Sequence, residues 1–557
     1  MNQNSAAESA TIRTGSNRVV VGGAGRDSLL VLAFVGVAIA IRLHGLSAAN
    51  LWLDEANSWQ VASYPWSKLI GELRGSPVGP LYFVLLKLWI SALGDSAFAL
   101  RAFSVLASIA LIPAVYAVGA KLLSRRAGVL AAALIALSPL ELYFAQEARM
   151  YMLTSLVALL TLWAYASWRG VALASVDPVP GTTPASGSRS QLWPLVWYTI
   201  AAIILLFTHP VAGTLLVAVN LDALVLWWKS RTHHDGATAS RVRRLAISWI
   251  AAQAVIGAVL LLYLAFLRLD TAASSQAWRS GLGFERALRA AMMLPFGAIG
   301  GQRYYPTDFW FAFNDLLERR GAFARFLTLL VIQPLALLVI VVAGDAAIRE
   351  RSRERQNPAD TPAEKGGRRL LLFALIIPLV FAVLISITRS LETERYFLFV
   401  VPFFFLLLAD GLVALPPKPR YVALAVLGAG MLLGTRSTKA AVSRDSDYRS
   451  TAALIEHDHQ RGDRVMIQPR EMNAPLRFYL RATGIPVIGI AADASAGREL
   501  AARPPGRTWV VIDYRSPLYA LSPQELAAAL RTPLVQESYT SDTSVGVRIA
   551  LVDTRNK

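Results

Sequence analysis

The chain has 557 residues, 55% of them hydrophobic, and a formal net charge of +18. Long apolar runs with few charges exclude an ordinary soluble protein and predict a polytopic membrane protein, whose basic cytoplasmic loops explain the positive charge without a nucleic-acid partner. The absence of cysteine excludes disulfides, thiolate catalysis and cysteine-bound metals.

The N-terminal 27 residues are polar and contain Arg13, Arg18 and Arg26. An apolar run, "LLVLAFVGVAIAI", begins at Leu29. A cleaved signal peptide is the alternative interpretation. The polar stretch is long for a signal peptide, and many further spans follow. We therefore expect an uncleaved first helix preceded by a cytoplasmic tail, residues 1–27.

Ten further apolar runs are of spanning length. They cover residues 97–123, 127–144, 152–168, 192–208, 211–228, 245–266, 323–343, 370–387, 396–415 and 421–434. With the first run they predict about eleven transmembrane helices within residues 28–436. Segment 79–94 is apolar but short and carries Lys87. We expect it to lie along the membrane surface.

The basic residues support this topology. With the N-terminus inside and segment 79–94 not crossing, every compact basic cluster falls on the cytoplasmic side, as the positive-inside rule expects. The predicted location is the inner (plasma) membrane. The outer face then holds the following segments: residues 42–96, 146–150, 209–210, 268–321, 388–395 and everything after 436.

The tail has a different pattern from the rest of the chain. From about Asp447, short apolar strands such as "RVMIQ" and "TWVVID" alternate with helical stretches. This βαβ rhythm predicts a small extracytoplasmic α/β domain, residues 437–557. No glycine-rich turn follows its strands, so we expect no nucleotide site there.

Charged residues that could take part in a reaction lie together on the predicted outer face. The first outer loop contains "LWLDEANSWQ", the second "YFAQEARMYML" and the last "RSLETERYFLF". A carboxylate base beside arginines that bind a phosphate is the arrangement that sugar transfer from a lipid phosphate requires. The candidate residues are Asp54, Glu55, Glu147, Arg149, Tyr151, His209, Arg395 and Tyr396.

Structural alternatives exist for each group. Asp54 and Glu55 could begin a helix, and Glu147 with Arg149 could form a solvated edge. Arg395 could be an interfacial anchor, and His209 could end a helix before a proline. The alternative function is a transporter or lipid flippase. Such a protein is expected to place charges near the middle of the bilayer on broken helices, whereas these spans are almost free of charge.

The order of several motifs is similar to a known family. "LWLDEANSWQVA", "GPLYFVLLKLW", "LELYFAQEARMYML", "THP" and "ERYFLFVVPFFFLLLADGL" resemble the family of protein O-mannosyltransferases and the aminoarabinose transferase of lipid A. These enzymes are glycosyltransferase family 39-like and have the GT-C fold. The resemblance covers roughly residues 30–415. It implies a polyprenyl-phosphate sugar donor, a hydroxyl acceptor on a glycan, lipid or protein, and inverting transfer outside the cytoplasm.

The resemblance also implies residue roles. It carries the catalytic carboxylate onto Asp54, with Glu55 in support, and the second-loop contacts onto Glu147 and Arg149. We expect Asp54 to be the general base and Glu55 to orient a basic residue, with Arg149 as the candidate. Many members have His-Pro-Pro before Leu-Tyr, whereas this chain has "SPVGPLYF". Only Asp54 and Glu147 could bind a metal, so we expect no cofactor, with a divalent metal as the open alternative.

Overall fold

A computed structural model describes much of the chain. The described residues are 21–75, 78–176, 188–230, 236–267, 366–388, 394–442, 448–490, 499, 505–513, 534–539 and 547–553. Among them, six helices are long and apolar enough to cross a membrane, or seven if one bent pair counts as a span. The chain is therefore a multi-pass membrane protein. The total of about eleven stays a prediction. Of the four further predicted spans, the run 323–343 lies outside the described residues, as does the outer loop 268–321, and the first run and the runs 192–208 and 421–434 form helices that are not among these candidates.

The helices follow the predicted runs closely. In chain order they are α1 Val21–Leu43, α2 Leu53–Ser63, α3 Trp66–Gly75, α4 Pro80–Leu93, α5 Ala97–Leu122, α6 Arg125–Leu137, α7 Pro139–Ala145, α8 Tyr151–Val176, α9 Ser188–Thr208, α10 Thr214–Ser230, α11 Gly236–Phe266, α12 Gly367–Thr388, α13 Val401–Ala414, α14 Pro417–Val442, α15 Tyr448–Asp458 and α16 Asn473–Leu480.

Proline marks a change of structure in two predicted spans. The first of them is bent, whereas the second stays one candidate span, Arg395–Ala414. The run 127–144 divides into α6 and α7, which bend by 59° at Ser138. Pro139 cannot donate a backbone hydrogen bond, and the Ser138 side chain caps the new helix by accepting from the Glu141 N–H. The run 396–415 begins as a 3₁₀ helix, Glu394–Val400, before α13, whose first turn contains Pro402.

The segment expected along the membrane surface forms α4, which has 14 residues. At 1.5 Å per residue this helix is about 21 Å long, which is too short for a hydrocarbon core of about 30 Å. Its N-cap, Gly79, lies against the end of α9. A Cβ atom there would lie 2.3 Å from the Phe207 carbonyl oxygen, so only glycine fits at this close approach.

Small residues also bring α5 and α6 together. A Cβ atom added to Gly119 of α5 would lie 2.5 Å from the Cα of Gly128 on α6. Close backbone approach of this kind is typical of membrane helix packing. Near the other ends of α8 and α10, buried Asp222 accepts hydrogen bonds from Arg169, Tyr165 and Arg369. This ion cluster joins α8, α10 and α12. It lies at a distance from the loops that precede α2 and α8.

The tail forms the predicted α/β structure around a five-stranded sheet. Its strands are β1 Arg464–Gln468, β2 Val487–Gly489, β3 Arg507–Asp513, β4 Leu534–Tyr539 and β5 Val547–Asp553. The spatial order is β2-β1-β3-β5-β4. Strands β2, β1 and β3 are parallel, and β5 is antiparallel to both of its neighbours, β3 and β4. Helices α15 and α16 pack on this sheet, and buried Trp509 and Val511 lie in its core.

Candidate active site

The first turn of α2 carries both candidate carboxylates, and they point to different partners. Glu55 is 1% exposed. Its two oxygens accept from the Arg101 Nε and Nη2 at 2.8 and 2.7 Å, which is the bidentate geometry of a strong ion pair. The Ala148 N–H donates to Glu55 Oε1 at 2.9 Å. Glu55 therefore joins α2 to α5 and to the loop before α8.

Arg101 uses all of its donors in this region. Besides its contacts with Glu55, it donates to the backbone carbonyls of Leu46, Ala49 and Asn50 at 2.9 to 3.0 Å. Arg101 is 2% exposed and lies in the first turns of α5. It fixes both the loop that precedes α2 and the first turn of α2 itself.

Asp54 meets two other arginines. Its Oδ2 lies 3.0 Å from the Arg395 Nη2 and 3.8 Å from the Arg149 Nη2. Arg149 also approaches the Asp54 carbonyl oxygen and the Ser58 hydroxyl at 3.4 and 3.2 Å. The Asp54 side chain keeps 21% of its surface exposed, so it is accessible from the loop side. Guanidinium groups from two separate elements thus converge on one carboxylate.

Glu147 lies in the loop before α8 and is 4% exposed. Neither of its carboxylate oxygens has a hydrogen-bond partner among the described residues. Burial raises the pKa of Glu147 to about 8; Glu55 and Asp54 raise it too, whereas Arg395 and Arg149 oppose the rise. A buried carboxyl with this pKa is neutral or near its titration point around pH 7 to 8, and its free oxygens can contact a polar ligand.

Aromatic rings enclose the two arginines. The guanidinium carbon of Arg395 lies 5.2 Å from the Trp52 ring centre and 5.9 Å from that of Tyr151. Arg149 is also 5.9 Å from the Tyr151 ring. At these distances the rings hold the cations over their faces and limit their rotation.

His209 completes the site from the turn after α9. Its ring lies 5.1 Å from that of Tyr396. Burial, followed by the charge of Arg149, lowers the pKa of His209 to about 3, so its imidazole is neutral at physiological pH. Its Nδ1 atom is buried without a hydrogen-bond partner among the described residues.

Several buried polar atoms of this region lack a partner at once. Within the described part of the chain they are both Glu147 oxygens, Arg149 Nε, His209 Nδ1 and Arg395 Nε. Unpaired buried polar groups cost free energy, so this cluster calls for an explanation, and a bound polar ligand is one that the geometry allows.

No group of three or more His, Asp or Glu side chains able to hold a metal occurs among the described residues. Asp54 and Glu147 stay the two carboxylates that the sequence marks for a divalent ion. Two arginines flank Asp54, which makes it a poor cation ligand in this arrangement.

The structure brings all eight predicted residues into one region. Glu55 pairs with a basic residue as expected, but its partner is Arg101 and not the candidate Arg149, which pairs with Asp54. Sequence reasoning missed Arg101. A single arginine near the start of an apolar run is the signal that could have identified Arg101, since an unpaired charge is costly there.

The comparisons with known proteins identify the fold. No family model matches the chain, and no curated protein matches it. ArnT from Cupriavidus metallidurans, bound to undecaprenyl phosphate, is similar in structure at 13% identity and a TM-score of 0.52, over 94% of this chain and 97% of that one.

Further solved structures match with TM-scores below 0.5, and two of them have other activities in their names. They are the archaeal oligosaccharyltransferase AglB from Archaeoglobus fulgidus, with dolichol-phosphate (11% identity, TM-score 0.49, 96% and 74% coverage), and the mycobacterial arabinofuranosyltransferase AftD (15%, 0.44, 95% and 41%). The likeness to ArnT carries the conclusion, which concerns architecture alone: the chain has a GT-C-like membrane fold with a small α/β tail.

Proposed function

We propose that this protein is an integral membrane glycosyltransferase that transfers a sugar from a polyprenyl-phosphate donor to a hydroxyl acceptor. The acceptor is a glycan, a lipid or a protein, and the reaction takes place on the outer face of the inner membrane. One observation carries the proposal: Arg149 and Arg395 converge on Asp54, in a region of buried polar atoms without partners. The fold likeness to ArnT, whose structure contains undecaprenyl phosphate, supports the choice of donor.

The site residues have separate roles in the proposed transfer. Asp54 takes the proton of the acceptor hydroxyl, whose oxygen attacks the anomeric carbon of the sugar. The bond between that carbon and the phosphate oxygen breaks with inversion, and the electron pair leaves with the polyprenyl phosphate. Arg149 and Arg395 stabilise the negative charge of the leaving phosphate through charge-assisted hydrogen bonds.

In this scheme the other residues bind the substrate or hold the catalytic groups in place. Glu55 holds α2 against Arg101 and does not contact the substrate. Glu147, as a neutral carboxyl, donates to the sugar or phosphate, while His209 offers a neutral ring nitrogen. Tyr151 and Tyr396 line the same space and pack beside the arginines and His209. In its ionised form, which its pKa of about 8 makes available close to the working pH, Glu147 is instead the second candidate for the base.

The orientation belongs to the same proposal. Residues 1–27 form a cytoplasmic tail, residues 28–436 the membrane domain and residues 437–557 the outer domain. The active site then faces the side on which a lipid-linked sugar and its acceptor meet, while the prenyl chain stays in the bilayer.

The test measures release of polyprenyl phosphate from radiolabelled lipid-linked sugars by the purified protein. Asp54→Asn keeps the shape of the side chain but cannot take the proton, so we expect turnover to fall about 10²- to 10⁴-fold with donor binding retained. Asp458→Asn, on the tail surface, is the matched control. Near-normal turnover of Asp54→Asn would move the base to Glu147. Absence of release from any donor by the wild type would favour a transporter or lipid flippase.

A further inference from the structure

The loop before α2, residues 44–52, is held from two sides. Arg101 of the membrane bundle binds three of its carbonyl groups. The tail domain binds the same loop from the other side: the Arg449 Nη2 donates to the Ser47 carbonyl at 3.0 Å, and the Leu51 N–H donates to the Tyr479 hydroxyl at 2.8 Å. Arg449 also lies 5.7 Å from the Tyr479 ring centre, which links the two tail residues.

Helix α2 is held in the same way. Phe478 of the tail is 2% exposed and packs edge-on against Trp59 of α2, with ring centres 5.2 Å apart. The Trp59 indole N–H donates to Asp95 at 2.9 Å, and the Arg481 Nε donates to the same carboxylate oxygen at 3.0 Å. Arg481 in turn stacks over the Phe478 ring at 4.1 Å.

We propose that helix α16 of the tail domain is a clamp that positions the Asp54 helix for catalysis. The clamp consists of Phe478 and Tyr479 in the last turn of α16 and of Arg481, the residue that follows the helix. This inference rests on the proposed function of Asp54 and adds a role for the tail domain. None of the three residues contacts the substrate in this scheme; they act through the backbone of residues 44–52 and through Trp59.

The physical reason lies in where the clamp binds. Leu51 is two residues before the start of α2, and Asp54 lies in the first turn of that helix. Leu51 is fully buried, so its N–H has no water to replace the Tyr479 hydroxyl. Loss of this bond lets the start of α2 shift, and a shift of about 1 Å in a catalytic group can cost on the order of 100-fold in rate. A clamp of this kind alters turnover rather than donor affinity.

Two variants of the full-length protein test the clamp. Tyr479→Phe removes only the hydroxyl, and Arg481→Gln removes the ion pair with Asp95. We expect each to lower kcat about 3- to 30-fold with little change in the donor KM. The controls are Tyr421→Phe, an exposed tyrosine of α14, and Arg470→Gln, an exposed tail arginine that pairs with Glu499. Both controls should behave as the wild type.

Hydrogen exchange provides a readout that does not depend on turnover. Amides in the peptide covering residues 46–58 should exchange faster in Tyr479→Phe and Arg481→Gln, while those of α5 stay unchanged. Unchanged exchange in that peptide, or faster exchange with an unchanged kcat, would overturn the clamp. If the wild type transfers no sugar, the proposed function fails, and the exchange result still decides whether the tail holds the α2 loop.

Discussion

The Glu55–Arg101 pair gives the sharpest test of the site's construction. Both residues are at most 2% exposed, and four hydrogen bonds reach the Glu55 carboxylate, from Arg101 Nε, Arg101 Nη2, Ala148 N and Trp52 N. In Glu55→Gln, an amide NH₂ replaces one acceptor oxygen and faces these donors. Arg101 keeps its charge without a counter-ion in a buried place.

The expected cost follows from that uncompensated charge. Removing one partner of a buried ion pair typically destabilises by about 3 to 5 kcal/mol. We expect Glu55→Gln to lose about that much free energy of unfolding, and Arg101→Gln to lose a similar amount. The double variant removes both charges, so it should be less destabilised than the sum of the single variants, with a coupling energy of about 1 to 3 kcal/mol.

Unfolding in mixed micelles of mild detergent and SDS measures these free energies. The matched control is Arg470→Gln with Glu499→Gln, an exposed pair in the tail whose coupling should be below about 1 kcal/mol. Additive effects of the two site substitutions would refute the reasoning. So would a Glu55→Gln protein of wild-type stability with strongly reduced turnover, because Glu55 would then act in the chemistry and not in the scaffold.

Three further predictions concern the phosphate site, the titration of Glu147 and the membrane topology. Arg149→Lys and Arg395→Lys lose the forked geometry for phosphate, so each should raise the donor Kd about tenfold in a binding assay; unchanged affinity in both would make these residues anchors. Folded Glu147 binds its proton up to about pH 8, above the ordinary value of 4.5, so this group's contribution to stability is complete below pH 4.5 and is lost as the pH rises through 8. Wild-type Tm should fall over that range, whereas Glu147→Gln should remove this part of the slope. Cysteine introduced at Ser450 should react with an impermeant reagent in intact cells, and cysteine at Ser352 should not; the reverse pattern would invert the topology.

The sequence alone was sufficient to predict the site residues that lie in short polar segments between apolar runs. Asp54, the neighbours Glu147 and Arg149, and Arg395 come from three distant segments of the chain. The predicted topology puts these segments on one face, and the structure brings them into one site. The reason is geometric: helices of spanning length return the chain to the same face at fixed intervals, so loop residues of alternate connections become neighbours.

Pairing among those residues could not be predicted in the same way. Whether Glu55 meets Arg149 or Arg101 depends on the rotation of α2 about its axis and on the depth of α5. Neither quantity is encoded in a hydropathy pattern. The bend at Ser138 shows the same limit, since an apolar run reveals length and only Pro139 reveals the bend.

The adjacency of Asp54 and Glu55 has a physical explanation in the helix itself. Consecutive residues of an α-helix point about 100° apart, so one side chain can face inwards while the next faces the loop surface. Glu55 faces Arg101 and the Ala148 N–H, and Asp54 faces Arg149 and Arg395. The inward carboxylate fixes the rotation of α2, and that rotation sets where the outward carboxylate lies. In the proposed transfer Asp54 must meet a hydroxyl within about 3 Å, and the Glu55 anchor in the same turn opposes the fraying that is common at helix ends.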